Sequence, residues 1–559
     1  MNLKGKLKLA FLVTLCLGSG VASAAPVAKA AGGERIANII NFVRGFEPRD
    51  TVNCSREILR TTVKNQIGIM RENGLTGTFL LQYDALIDGG FQQLMKQNGD
   101  VCTDVGAWWE ITQPHCEAAG IKWRGRYSWD WHAQFDFSIG YTPEERLKLV
   151  DVYMAKFKEI FGQYPTAVGS WYLDGTTLQY MHEKYGVVAS CICRDQVGTD
   201  GYTLWGGYWH GGYYPSKQYV YMPAQTPEGQ IDVPVFRMLG SDPLHQYDAK
   251  LAGNGQGVVT LEPAYAAGGG SESYVDWYLK VMTKDPCLGY TYFQTGQENS
   301  FVWPVVARGF AVQMPRLAKY RNLGELKLQT LTETGREFTK KHKVTPPTAQ
   351  VTLSDYSSSS NDRTVWFNSR FYRANLIVEG KHLRIRDIHK FDERVASPYL
   401  TTPVTTNDFE LSALPVLDGF GWSGDGTVAG IRPYFTDAKG RKVAMEGGQL
   451  KAWNVGADKL VVAWPLTNLP GAVLTFVFTE GQISVKLEKT PRSVKWYMEM
   501  ASKSDKKATV FEVKPKSLNY SHNGYKYDCQ FVKGSVSGSA DGVMLKFSPS
   551  ANTLVLKLN

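Results

Sequence analysis

Between residues 36 and 323, short apolar runs alternate with stretches of helical periodicity. Eight runs read as strands: 36–43, 77–82, 121–129, 167–173, 187–193, 233–239, 257–261 and 288–293. Apolar residues recur at helical spacing over 56–73, 142–161, 176–185, 271–282 and 304–320. The clearest of these helices opens on Thr142-Pro143-Glu144-Glu145, a cap with proline in the first turn, and stops at Gly162. Strand followed by helix, repeated, predicts a parallel sheet. Seven or eight such units fit a closed barrel better than an open sheet. The expected fold class is therefore α/β: a (β/α)7-8 barrel over 34–343, followed by an all-β sandwich region.

The pattern changes after about residue 340. Val344-Thr345-Pro346-Pro347-Thr348 reads as a linker, and the runs beyond it are short, alternating and broken by Gly, Asn, Asp and Ser. That predicts a β-sandwich region over 349–559, as one large sandwich or two small ones. Its charged group Arg384, Arg386, Asp387, His389, Lys390, Asp392 and Glu393 is expected to form a solvated or interdomain ion-pair face.

The first residues read as a secretory signal, 1–25. Lys4, Lys6 and Lys8 precede a short apolar run, and Ala22-Ser23-Ala24 supplies a cleavage site. The run is too short to span a bilayer, and no later segment reads as a span. The expected location is the periplasm or the extracellular space. Removing three lysines takes the formal charge from +9 to +6 (9 − 3), and no dense Lys/Arg stripe appears, so nucleic acid is excluded as a partner. Seven cysteines then remain, an odd and sparse set that makes no disulfide scaffold; Cys54–Cys102 or Cys102–Cys116 are the pairs an oxidising compartment permits. Cys191 and Cys193 share a strand face and read as small core residues.

Parallel barrels bind ligands at the carboxyl ends of their strands. Taken in order, those ends carry Glu47; Asp84; Asp130 and His132; Asp174; Asp195; Asp242 and His245; Glu262; and Gln294, Gln297 and Glu298. Two carboxylates across a barrel mouth can cleave a glycosidic bond, one protonating the leaving oxygen and the other attacking carbon or activating water. Asp174 with Glu262 is the first expected catalytic pair, with Glu298 as a substitute for either. A helix cap at Asp174, or ion pairs of Glu262 and Glu298 with Arg44, Arg126 or Arg194, are the competing structural roles. Ten of the fifteen tryptophans fall in the barrel region. Aromatic faces suit the C–H faces of sugars, whereas acids and amides suit their hydroxyls. Trp131, Trp171 and Trp209 are expected to stack on rings; Glu47, Asp130, His132, Asp195, Asp242 and Gln294 are expected to position hydroxyls of an oligo- or polysaccharide. No cofactor is expected. The competing chemistry is a divalent metal such as zinc, held by His132 and Asp136.

The layout resembles polysaccharide deacetylase-type barrels and the glycoside hydrolases related to them. Residues 69–81, IMRENGLTGTFLL, are similar to the helix–turn–strand after the first strand of those barrels. His132-AQF-Asp136 followed by Thr142-PEE is similar to their second motif, and residues 161–186 to their third-motif region. The resemblance implies a glycan substrate, with metal-dependent deacetylation as the alternative to glycosidic cleavage. Three positions depart from it. Asp136 stands where those barrels have a second metal histidine, Arg44-Gly45 where they have an acid pair, and Ser170-Trp171 where they have an arginine. The order of signal, barrel and sandwich also resembles secreted glycan-degrading proteins of gut Bacteroidetes. A non-catalytic glycan-binding barrel is the remaining expectation.

Overall fold

The computed structural model describes residues 33–193, 207–247, 259–356, 361–407, 413–424, 426–490, 494–503, 509–539 and 544–559. Seven parallel strands form the barrel wall: Glu34–Val43, Thr78–Leu81, Asp104–Trp108, Ala167–Ser170, Ala189–Ile192, Val235–Arg237 and Tyr290–Thr295. They pair in chain order from first to sixth, and the seventh lies on the other edge of the first. No ladder joins the sixth strand to the seventh among the described residues. Around Leu261 the chain closes that seam instead: its N–H donates to Gly240 O at 3.2 Å and its carbonyl accepts from Thr295 Oγ1 at 3.5 Å. The expected strand at 257–261 is thus reduced to one bridge, Ser241 to Thr260, within the described residues.

Helices cover the barrel where the periodicity placed them. Arg56–Glu72 buries Leu59, Val63, Ile67 and Met70, a stripe at helical spacing, and is capped by Ser55. Pro143–Phe161 carries a reciprocal Thr142–Glu145 capping box and ends at Gly162, whose φ of +77° suits glycine. One expected strand is corrected. Residues 121–129 form a loop, and the third strand is Asp104–Trp108. Parallel barrel strands are covered on both faces, and alternating Lys122, Arg124 and Arg126 could not be buried that way.

Beyond residue 347 two antiparallel sheets pack face to face. Strands such as Val473–Thr479 bury every second residue, as a half-covered sheet requires. Side chains from the two sheets meet between them, as where Phe367 and Phe478 stack at 5.3 Å and Phe531 and Phe547 at 5.5 Å. Barrel and sandwich belong to one compact unit, Gly32–Asn559. The charged strand His382–Lys390 faces inward. Arg386 donates to the barrel carbonyl of Leu244 at 2.9 Å, and Asp387 pairs with Arg373 at 2.8 Å. All seven described cysteines are buried thiols, so neither permitted disulfide is formed. No helix among the described residues is long and apolar enough to cross a membrane.

Candidate active site at the barrel mouth

Arg44 organises the mouth. It follows the first strand directly and is 3% exposed. Its guanidinium grips Glu110 through two bonds, at 2.6 and 2.9 Å, and meets Glu298 Oε2 at 2.6 Å. Its flat face lies 4.3 Å from the centre of the Trp129 ring, a cation–π stack. Glu110 lies two residues past the third strand and also accepts from Gln82 at 2.8 Å. Glu298 follows the seventh strand and accepts from Ser300 Oγ at 3.0 Å.

Glu262 lies on the segment that closes the seam. It accepts from Thr260 Oγ1 at 3.0 Å and from Gln297 Nε2 at 3.3 Å, and no guanidinium meets its carboxylate among the described residues. Burial, with the Glu298 charge adding to it, pushes the Glu262 carboxyl up to about 7. Burial also raises Glu298, but there Arg44 opposes it. Asp136 is buried under Trp129, whose Nε1 donates to it at 2.8 Å; burial and then Glu110 push its carboxyl well above the usual range. Glu262, Asp136 and Glu298 are thereby all raised towards the neutral form, and of the three Glu298 is the one ion-paired to the Arg44 guanidinium.

The rim is aromatic and charged. Asp130 is fully buried; against the pull of burial, hydrogen bonds from Arg126 hold it down at about 2. His132 Nδ1 lies 2.7 Å from Asp130 Oδ1. Trp131 and Tyr127 stack at 5.8 Å with 7° between their planes, and Tyr127 is 44% exposed. Glu47 is buried and tied to Arg49 at 2.8 Å. Gln294, in the seventh strand, keeps a buried carboxamide oxygen without a partner.

The remaining expected site residues go elsewhere. Asp174 caps helix Gly175–Tyr185: it accepts from Thr177 N at 3.0 Å, from Thr177 Oγ1 at 2.6 Å and from the Ser138 hydroxyl, and it meets buried Arg146 at 3.3 Å. Its oxygens are engaged by that scaffold, the helix-cap role that competed with the expected pairing with Glu262. Trp171 is half-buried directly after the fourth strand and packs edge-on against Phe42 and Trp108. Trp209 is corrected from sugar platform to interface residue: it stacks on sandwich Trp366 at 4.1 Å, with Arg237 3.9 Å over its ring. Asp242 is buried and accepts from Leu244 N and His245 N. Asp195 falls outside the described residues. Sequence reasoning missed Glu110, because the third strand had been placed too late.

The donor set does not fit zinc at His132 and Asp136. Arg126 presses its guanidinium 2.6 Å from His132 Nδ1, Asp136 is turned to Trp129, and no third ligand joins them among the described residues. Arg44, a fixed cation, already stands among the mouth carboxylates.

No family profile and no curated protein matches this chain. Several solved structures are similar to this chain at low identity. One is a putative glycoside hydrolase/deacetylase from Parabacteroides distasonis, with 15% identity, 70% of this chain and 90% of that one covered, and a TM-score of 0.48. Another is a probable polysaccharide deacetylase from Pseudomonas aeruginosa, with 10% identity, 56% and 93% covered, and a TM-score of 0.35. A third, named a family 4 carbohydrate esterase from Streptomyces lividans, has 11% identity, 55% and 96% covered, and a TM-score of 0.25.

Proposed function

We propose that this chain is an exported glycan hydrolase that cuts a glycosidic bond with Glu262 and Glu298. One observation carries the reading. Two buried carboxyl groups flank the closing seam of the barrel, the charge of Glu298 acts on Glu262, and only Glu298 faces a guanidinium. Such a pair separates into an acid and a base at neutral pH. Glu262, held protonated to about 7, donates its proton to the departing oxygen. Glu298, ion-paired to Arg44, which opposes the upward pull of burial, attacks the anomeric carbon as its carboxylate or takes the proton of an attacking water. Tyr127 and Trp131 offer the ring face on which a neighbouring sugar stacks.

A second reading, removal of an acyl group from the glycan, is favoured by the Asp130–His132 pair, an imidazole oriented by a buried carboxylate as a general base requires. Product analysis separates the two. Incubation with pectic, mucin and host glycans is expected to release new reducing ends in the wild type and none in Glu262→Gln or Glu298→Gln. Acetate release without new reducing ends, abolished in His132→Ala, would select deacylation. Tight binding without either product would leave a glycan-binding protein.

A further inference from the structure

A cluster unrelated to the barrel mouth lies where the sixth strand's loop meets the first hairpin of the sandwich. His245 comes from the barrel side; Asp355 and Asp362 come from the sandwich side, between strands Thr348–Thr352 and Arg363–Asn368. One donor atom from each of the three lies within 4.8 Å of the others. His245 Nε2 is 2.9 Å from Asp355 Oδ1, and the Asp362 N–H donates to Asp355 Oδ2 at 3.4 Å. The Asp355 side chain is 1% exposed and that of His245 30%, so the cluster is anchored inside and open on one edge.

A second observation points to a ligand. Asp242 is fully buried and held over the His245 turn by the N–H groups of Leu244 and His245, at 2.8 and 3.2 Å, both on Oδ1. Its other oxygen meets no donor at good hydrogen-bond geometry, although the Tyr356 hydroxyl acts on the same carboxylate. The Asp242 charge interacts with both His245 and Asp355. Three carboxylates thus act on one imidazole. Burial raises the Asp362 carboxyl and the Asp355 charge adds to the rise, against the hydrogen bond from the Gly380 N–H. Tyr356 walls the cluster, edge-on to His245 at 5.3 Å and packed on Trp277 at 4.8 Å.

We infer that His245, Asp355 and Asp362 bind a divalent cation of the zinc class, which pins the barrel loop to the sandwich. An imidazole with two carboxylates is a mixed nitrogen–oxygen set that suits zinc, whereas calcium takes oxygen ligands throughout. Three protein ligands and an open edge leave a fourth position for water. Asp242 lies behind the set, as the carboxylates that back metal ligands do.

The test uses the purified protein, stripped with chelator and then titrated with Zn2+ or Ca2+ by calorimetry, with thermal unfolding in parallel. The expected result is one Zn2+ bound per chain and a higher melting temperature, both lost in His245→Ala and in the milder Asp362→Asn, while metal-free melting of Asp362→Asn stays close to wild type. Absence of Zn2+ binding, binding that survives both substitutions, or a response to Ca2+ alone would each overturn the inference.

Discussion

Replacing Glu262 by glutamine should make the protein inactive and, above neutral pH, more stable. Burial moves this carboxyl from an ordinary 4.5 to about 7. At about 1.36 kcal/mol per pH unit, ionising it in the folded state costs roughly 3 kcal/mol. The sign follows from the direction of the shift. A raised carboxyl leaves stability intact below about pH 4.5, where it is protonated folded and unfolded, and removes it as the pH climbs through 7. Glutamine never ionises, so it escapes the loss. It can keep the bond from Thr260 or Gln297 with its carbonyl but turns an amide towards the other donor, a pH-independent cost of about 0.5–1.5 kcal/mol. The informative quantity is therefore the change with pH in the difference between variant and wild type. Chemical unfolding near pH 4.5 and near pH 9 should show the variant slightly weaker at the acid end and ahead by roughly 2 kcal/mol at the alkaline end. Other titrating groups occur in both proteins and cancel. A difference that does not change with pH would refute the buried, proton-holding environment from which the acid role is argued.

Two further substitutions test the frame around this acid. Arg44→Met strands Glu110 and Glu298 in the interior, which should cost about 3–5 kcal/mol; Glu298, raised further without its cation, keeps its contribution at low pH and loses it as pH rises, so unfolding measurements should show a smaller deficit at pH 5 than at pH 8. Asp174→Asn removes the charge facing buried Arg146 and should lower stability by about 1–3 kcal/mol while the folded protein keeps its turnover, so loss of catalysis at full stability would restore Asp174 to the reaction.

The helices were legible because their signals are local. The Thr142–Glu145 box and Gly162 lie within the helix they bound, and the stripe of Leu59, Val63, Ile67 and Met70 needs only its own spacing. The third strand was not legible. It has five residues and opens on Asp104, an acid that reads as a turn until its partners are known: Thr78 and Thr332 donate to it from a neighbouring strand and a distant helix. Misplacing that strand hid Glu110, and with it half of the Arg44 grip. Glu262 and Glu298 were legible as acids following apolar runs, and the sequence had already offered Arg44 as an ion-pair partner. Asp174 has the same local look, but an N-cap and a catalytic carboxylate differ only in what surrounds them. Trp209 misled for a similar reason, since its stacking partner Trp366 lies 157 positions along, in the sandwich.

The most direct test of the account is the pH dependence of kcat/KM for glycosidic cleavage in the wild type and in Glu262→Gln. The wild type should lose rate above about pH 7 as Glu262 gives up its proton. The variant should fall by roughly 100-fold or more, the share of the rate a positioned general acid supplies. A wild-type profile that stays flat to pH 9, or a folded Glu262→Gln protein that cleaves at the full rate, would contradict it.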